Sequence, residues 1–233
     1  MIRGNTGTDD LGADMVHLHS LRQGKKQPVV SGTSLAGALR GRAAKIANTL
    51  APMTDEGRQH AGKLIDCMFG PEMKAKVTPR ASRVMVEESE IKGAVTNLIQ
   101  NRIRIDRFTG GVMDGALFNE QPAFGTEDTT ISINLKLSDP KEAEIGLLLL
   151  LLKDLWTGDL PLGGEIAIGR GRLKGISATV TWKIPDEKPL AWTIEQKVDK
   201  TLDIKGSERD ILEKCVSEKL QAELLGQEMA HGA

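Results

Sequence analysis

The stretch from Val30 to Arg42 constrains the fold most, because it combines a helix start with an apolar stripe of helical spacing. Three hydroxyl residues that can cap a helix surround Gly32, and this glycine allows another backbone to approach closely. The spacing predicts a helix over residues 31–50, with its basic side chains largely off the apolar face. The candidate caps are Ser31, Thr33 and Ser34, the apolar face is Leu35, Ala38, Leu39, Ala43, Ile46, Ala47 and Leu50, and the basic residues are Arg40, Arg42 and Lys45.

The same helix start suits an anion, since a helix N-terminus offers free N–H groups and a partial positive charge. A phosphate near Thr33 and Ser34 is one interpretation of this stretch. An ordinary capped helix with a solvated basic side is the other.

Composition narrows the classes of protein. A chain of 233 residues can bury a substantial core, and its formal net charge of -1 argues against a protein that coats nucleic acid generally. Any RNA or DNA binding must therefore use local basic patches. Aromatic residues make up only 3% and Tyr is absent, which argues against modules that read bases by stacking. Cys67 and Cys215 lie far apart and lack a Cys-x-x-Cys pattern, so we expect reduced thiols without zinc.

The sequence also predicts where the protein works. Residues 1–4 lead into a polar loop rich in glycine, without the apolar segment of a secretory signal. The strongly apolar run from Leu147 to Leu152 is too short to span a bilayer. We therefore expect a cytoplasmic protein with no membrane partner.

Hydrophobic periodicity predicts the remaining elements. Strands are expected at 83–87, 102–106, 129–137 and 177–184, with an exposed hairpin at 108–115. A second helix is expected over 141–156, with Asp139 as its N-cap and Glu142 completing a capping box. Its leucines surround the helix, which predicts burial against a sheet. Further helices are expected within an irregular insertion at 51–82, over 58–69, and in the tail over 207–231, where the helix caps the domain or contacts a neighbour.

With a strand restored at the front, this order is a β-α-β-β-α-β plan, which is an α+β, ferredoxin-like (RRM-like) fold. The first strand is expected to be truncated, since only Ile2-Arg3-Gly4 stands in its place. The plan by itself carries no function.

Three segments in order resemble the RAMP superfamily, in particular the backbone subunits of type III CRISPR–Cas effector complexes. Those proteins read Gly-Ser-Ser-Leu-Lys-Gly-x-Leu-Arg, preceded by Ile-Pro, where this chain has Gly32 to Arg40, preceded by Val29, Val30 and Ser31. They also carry Ile-Asp-Arg-x-Thr-Gly, matched by Ile105 to Gly110, and a Gly-Gly-x-x-x-x-Gly-x-Gly-Arg loop, matched by Gly163 to Arg172. Two residues depart from the pattern. Ala36 replaces the family's Lys and removes one phosphate contact, and Val30 replaces its Pro.

The resemblance implies a subunit that polymerises along a guide RNA beside other effector subunits, including neighbouring copies of the same fold. It implies a palm domain over 1–185, with the insertion at 51–82 and a thumb at 106–125, and a C-terminal extension with a helix over 186–233. The thumb props the duplex of guide and target RNA apart. RNA contacts are implied at Ser31, Thr33, Ser34, Arg40, Arg42, Arg107, Thr109, Arg170 and Arg172.

The residues of the thumb have their own interpretation. Its apolar side chains can form a wedge that unstacks bases, with arginines at the base supplying charge. Alternatively, Leu117 and Phe118 belong to the core and the arginines form one solvated strand face. The wedge residues are Val112, Met113, Leu117 and Phe118, and the arginines are Arg102, Arg104 and Arg107.

In some members of this family an Asp before the Gly-Ser-Ser motif is needed to cut target RNA, and Asp14 holds that position here. A carboxylate can hold Mg²⁺ or another divalent cation beside the scissile phosphate, or position the 2′-hydroxyl. Asp9 and Asp10 compete for the role, and all three aspartates can equally be loop caps. His17 and His19 are less favoured candidates for acid–base chemistry, because they alternate along a strand.

The glycine loop Gly163–Arg172 allows close backbone approach beside Arg170, Arg172 and Lys174, which suits a phosphate. It lacks the Gly-Lys-Ser/Thr of a nucleotide-hydrolysing loop.

The sequence leads to three hypotheses about function. The chain is a guide-RNA-binding subunit that cuts target RNA with a divalent metal at Asp14, a catalytically inactive structural subunit or segment of a fused effector, or an endonuclease that processes precursor RNA. Sequence-specific RNA recognition is not expected from backbone contacts.

Overall fold

The computed structural model describes residues 1–4, 13–73, 78–199 and 201–227. These residues form two compact units that each draw on several parts of the chain. The first consists of Met1–Leu35, Val86–Leu135 and Leu162–Gly171, and the second of Ala36–Met85, Lys136–Pro161 and Arg172–Ala233. The boundary between a palm at 1–185 and an extension at 186–233 stays a prediction.

The first unit contains two small sheets. One has the strand order β1-β7-β6, where β7 pairs parallel with β1 and antiparallel with β6. The other has the order β2-β3-β5-β8, with antiparallel pairing throughout. The strands are β1 (Met15–Val16), β2 (His19–Arg22), β3 (Lys25–Val30), β5 (Ser89–Lys92), β6 (Gln100–Arg102), β7 (Phe118–Gln121) and β8 (Thr130–Ile131).

Two further strands, β4 (Val84–Val86) and β9 (Leu135–Leu137), pair with each other. The predicted strand 129–137 is therefore two strands that belong to different sheets. Two hydrogen bonds fix the chain between these strands. The Glu87 N–H donates to the Asn134 carbonyl, and the Asn134 side-chain amide donates to the Glu87 carboxylate. The predicted strand 102–106 is also displaced, since the regular strand β6 covers Gln100–Arg102 and only an isolated bridge lies beyond it.

The predicted first helix is confirmed as α1 (Gly32–Leu50). Ser31 is its cap, because the Ser34 N–H donates to the Ser31 hydroxyl. A Cβ on Gly32 would lie 2.2 Å from the carbonyl oxygen of Val86, so the expected close backbone approach is real. Leu35, Leu39, Ala43 and Ala47 are buried, while Leu50, at the helix end, is exposed.

The second unit is built from helices and one sheet. Helix α2 (Asp55–Phe69) begins at a Thr54 N-cap, three residues before the predicted start. Helix α3 (Glu142–Thr157) packs on the C-terminal helix, and its predicted burial against a sheet stays a prediction. The C-terminal helix comprises α4 (Arg209–Lys214), a π-helical turn (Cys215–Lys219) and α5 (Leu220–Leu225). The sheet has the order β10-β11-β12, formed by β10 (Ser177–Trp182), β11 (Leu190–Gln196) and β12 (Leu202–Gly206).

The tail helix therefore caps part of its own chain. Gly146 on α3 allows this contact, because a Cβ there would lie 2.2 Å from the carbonyl oxygen of Cys215. Leu147 and Leu151 of α3 and Leu220 and Leu224 of the C-terminal helix are fully or almost fully buried. Within the described part of the chain, no helix is both long and apolar enough to cross a bilayer.

Candidate functional site

A hairpin leaves the first unit between β6 and β7, and residues 103–117 are called the hairpin below. Its base is the Arg102–Phe118 pair, where the two strands stop pairing as a regular ladder. Further out, Ile105 and Val112 form an isolated antiparallel bridge. The predicted hairpin is thus present, and β7, which the predicted thumb included, belongs to the sheet.

The tip of the hairpin is closed by Asp106. Its carboxylate accepts the backbone N–H groups of Phe108 and Thr109, each at 2.8 Å, and these bonds hold the pKa of Asp106 below its ordinary value. The Thr109 hydroxyl accepts the N–H of Gly111 at 3.2 Å. The tip therefore has a defined shape and presents Arg107 to solvent. The motif is visible in the sequence, but the capping role of Asp106 was missed, although an Asp followed by turn residues is a signal for it.

The hairpin exposes several large apolar side chains. Phe108 at the tip is 97% exposed and Leu117 is 70% exposed, so Leu117 is not part of the core. Phe118 is half-buried in β7, so it is neither a fully exposed wedge residue nor a fully buried core residue. The other exposed apolar residues of the hairpin are Ile103, Ile105, Val112 and Met113.

Asp14 is exposed and immediately precedes β1, beside the base of the hairpin. Its backbone N–H donates to Oδ1 of Asn119 at 2.6 Å, and the Asn119 N–H donates to Oδ2 of Asp14 at 2.8 Å. The carboxylate and the backbone N–H of Asp14 are therefore each tied to Asn119 on β7 by one hydrogen bond. Asp9 and Asp10, its competitors, lie outside the described residues.

His17 is a buried structural residue. Its Nε2 lies 3.0 Å from the Val29 carbonyl oxygen, and burial lowers its pKa to about 4. His19 contacts the His17 carbonyl through Nδ1 at 2.7 Å. Because His17 is only 5% exposed, its position does not support a role in acid–base chemistry on RNA.

Burial of neutral His17 predicts acid sensitivity. Between about pH 6.5 and 4 the unfolded chain takes up a proton that the folded chain excludes, so stability falls as the pH falls. The full loss is about 3 kcal/mol, since each pKa unit corresponds to about 1.4 kcal/mol. Urea unfolding at pH 7.5, 6 and 5 measures it. His17→Gln keeps an N–H donor near Val29 without the titration, and should flatten this part of the curve; an unchanged slope contradicts the assignment.

A charge cluster formed by Arg102, Glu120, Glu165 and Arg170 lies behind the hairpin base. Glu120 on β7 is fully buried, and its Oε1 accepts from Arg102 at 2.5 Å and from Arg170 at 2.8 Å. Arg170 also pairs with Glu165 and donates to the side-chain oxygen of Gln100. Burial opposes ionisation of Glu120, but the two guanidinium groups outweigh it and lower the pKa of the carboxyl. The cluster thus joins the hairpin strands to the glycine loop.

The arginines predicted to bind RNA have different environments. Arg170 is held by the charge cluster and lies 5.6 Å from the Phe124 ring centre, and Arg172 donates to the Gly158 carbonyl at 3.0 Å. Arg40 pairs with Asp66 at 3.1 Å, and Arg42 pairs with Asp154 at 2.6 Å. Thr33 and Ser34 are exposed in the first turn of α1. RNA binding by these residues stays a prediction.

A metal ion at Asp14 would need ligands from elsewhere. Among the described residues, no three His, Cys, Asp or Glu side chains come together as a metal site. Within the described residues the site offers the single exposed carboxylate of Asp14, an oxygen ligand of the kind that Mg²⁺ takes together with phosphates and water, and Mg²⁺ at this position stays a prediction.

A sequence profile of the RAMP superfamily matches residues 11–174. No curated protein matches the chain significantly. A solved chain of the apo type III-B Cmr-beta complex is 13% identical with a TM-score of 0.50, covering 91% of this chain and 94% of its own length. Chains of Cmr-beta bound to cognate target RNA and of a type IV-B CRISPR complex are 13% and 16% identical, with TM-scores of 0.49 and 0.47. They cover 73% and 75% of this chain, and 90% and 86% of their own lengths. The apo Cmr-beta likeness confirms the predicted α+β fold with a ferredoxin-like palm.

Proposed function

Because the chain belongs to the RAMP superfamily, we propose that it is a guide-RNA-binding backbone subunit of a type III CRISPR effector complex. The observation that carries this proposal is the preshaped hairpin, with its apolar side chains in solvent and Arg107 at its tip. Apolar side chains that are grouped on one exposed element, with charged residues beside them, are typical of a surface that binds a partner. Its partners are the guide RNA, the target RNA and other effector subunits, including neighbouring copies of the same fold.

The hairpin acts as a wedge in this proposal. Apolar side chains inserted between bases unstack them, and added backbone contacts offset that cost. Phe108 and Val112 are exposed for insertion, while Arg104 and Arg107 supply positive charge to phosphates. Phosphate contacts carry no base information, so one surface serves any guide sequence.

Arg107→Ala should weaken RNA binding by the assembled complex. Each lost phosphate contact lowers the slope of log K against log salt by about 1, equally for unrelated guide sequences. Filter binding between 50 mM and 200 mM salt measures the slope. Arg58→Ala removes an exposed arginine on α2 and serves as the matched control. An Arg107 variant with the wild-type slope places the RNA elsewhere.

We further propose that the subunit cleaves target RNA at Asp14. In this reaction the 2′-hydroxyl oxygen attacks phosphorus and releases its proton, while the bond to the 5′-oxygen breaks and that oxygen gains a proton. A divalent metal supplies charge stabilisation at the phosphate when bound. The chain's own contribution is to hold the Asp14 carboxylate in a fixed orientation beside the hairpin base, where the RNA is distorted.

A scaffold without cleavage is the second candidate. It is favoured by the bond from the Asn119 N–H to Asp14, which is also what a purely structural loop cap makes. The test is to incubate the assembled complex with labelled complementary RNA, with Mg²⁺ or with a chelator. Regularly spaced cuts that need Mg²⁺ support the nuclease, and tight binding without cuts supports the scaffold. Absence of RNA binding overturns both.

A further inference from the structure

Asn119 and Asp14 make two reciprocal hydrogen bonds. The side-chain oxygen of Asn119 accepts the Asp14 N–H, and the side chain of Asp14 accepts the Asn119 N–H. The two bonds fix the backbone before β1 and the direction of the carboxylate together. A carboxylate that only needed to cap the loop would require the second bond alone.

Asn119 itself sits on a rigid element. Strand β7 lies between β1 and β6, with Asn119 opposite Asn101 and Glu120 opposite Met15. The next residue, Glu120, is fully buried in the charge cluster. Sites held by strands and supported by buried hydrogen bonds keep their geometry better than sites on loops. The buried charge cluster therefore holds β7 in place, β7 carries Asn119, and Asn119 holds Asp14.

We infer that Asn119 is a positioning residue for Asp14, holding its carboxylate toward the RNA strand at the hairpin base. The inference rests on the proposed cleavage at Asp14. It predicts that Asn119→Ala slows cleavage while RNA binding is retained, because the lost side chain holds the Asp14 backbone N–H, and with it the segment that carries the carboxylate, and does not hold the RNA. Residues that hydrogen-bond to a metal-ligating side chain and orient it typically contribute about 10–100-fold to activity.

The experiment uses the assembled complex under single turnover, with Asn101→Ala as the matched control. Asn101 is the cross-strand neighbour of Asn119, so its variant perturbs the same sheet position without touching Asp14. We expect a loss of about 10–100-fold for Asn119→Ala and a rate within about twofold of wild type for Asn101→Ala. Target RNA affinity, measured with a chelator, should stay unchanged. Hydrogen exchange at the Asp14 amide should accelerate in Asn119→Ala alone.

A double variant separates positioning from general damage. If Asn119 acts through Asp14, Asn119→Ala adds nothing to the defect of Asp14→Asn. Additive losses, a loss that appears as weaker RNA binding, or a wild-type rate in Asn119→Ala overturns the inference while leaving cleavage at Asp14 intact. A wild-type complex that binds target RNA without cutting overturns the cleavage proposal and this inference with it.

Discussion

Asp14→Asn should reduce the rate of target RNA cleavage by about 10²–10³-fold, the scale on which loss of one electrostatic group in a site slows a reaction, because the carboxylate is proposed to hold the divalent metal at the scissile phosphate. The substitution is nearly isosteric, and its amide oxygen can still accept the Asn119 N–H. The loop before β1 should therefore keep its shape while the negative charge disappears. Single-turnover cleavage with Mg²⁺ measures the rate, and equilibrium binding of the same RNA should remain at the wild-type value.

Asp186→Asn is the control for this variant. Asp186 is an exposed turn residue between β10 and β11 with φ of 60°, a conformation that Asn also tolerates. The Asp186→Asn variant should cleave target RNA at the wild-type rate. If Asp14→Asn cuts normally as well, the carboxylate is a loop cap and the nuclease proposal fails.

Arg42→Ala should destabilise the folded chain by about 3–5 kcal/mol, because it leaves a buried carboxylate without its main partner. The Asp154 side chain is only 3% exposed, and its Oδ2 lies 2.6 Å from Nε of Arg42. Burial opposes ionisation of Asp154, but bonds from Arg42 and Lys153 outweigh it and keep the pKa of the carboxyl low. The free energy of unfolding of a typical protein domain is about 5–15 kcal/mol, so urea unfolding should show this loss clearly.

Arg40→Ala is the control, because Arg40 lies on the same helix two residues earlier. The side chains of Arg40 and Asp66 are 33% and 44% exposed, and such surface ion pairs contribute about 0–1 kcal/mol to the free energy of unfolding. Equal losses in the two variants would contradict the assigned role of Arg42. Arg42→Ala also bears on the predicted RNA contact, because weaker RNA binding by this variant would come partly from the unfolded fraction.

Local signals predicted the elements that depend on near neighbours. The apolar spacing from Leu35 to Ala47 located α1, since its period survives any tertiary arrangement. The glycines and the Asp106 motif located the hairpin, because a tight turn is a local property.

The start of α3 shows where local rules fail. Asp139 and Glu142 fit a capping box, but Lys141 and Glu144 fit the same spacing two residues later. The structure uses the later one, with the Lys141 N–H donating to Glu144, and Asp139 adopts φ of 46° in the preceding turn. The burial of Glu144 against Arg83 decides between them, and that ion pair joins residues far apart in sequence.

The support for Asp14 could not be predicted for the same reason. Asn119 and Glu120 lie in a short strand of mixed polarity, which gives no sign that Glu120 is fully buried. Their partners come from β6, the glycine loop and the segment before β1. Such contacts exist only once the sheet has formed.

The closed tip around Asp106 has a consequence for the thermodynamics of RNA binding. Ordering a loose loop on binding costs about 1–2 kcal/mol per residue, which subtracts directly from affinity. Here the Phe108 and Thr109 amides are already held in the free protein. In the proposed function the tip therefore meets the duplex in its final shape, and the entropy of that turn is lost once, during folding, rather than each time RNA binds.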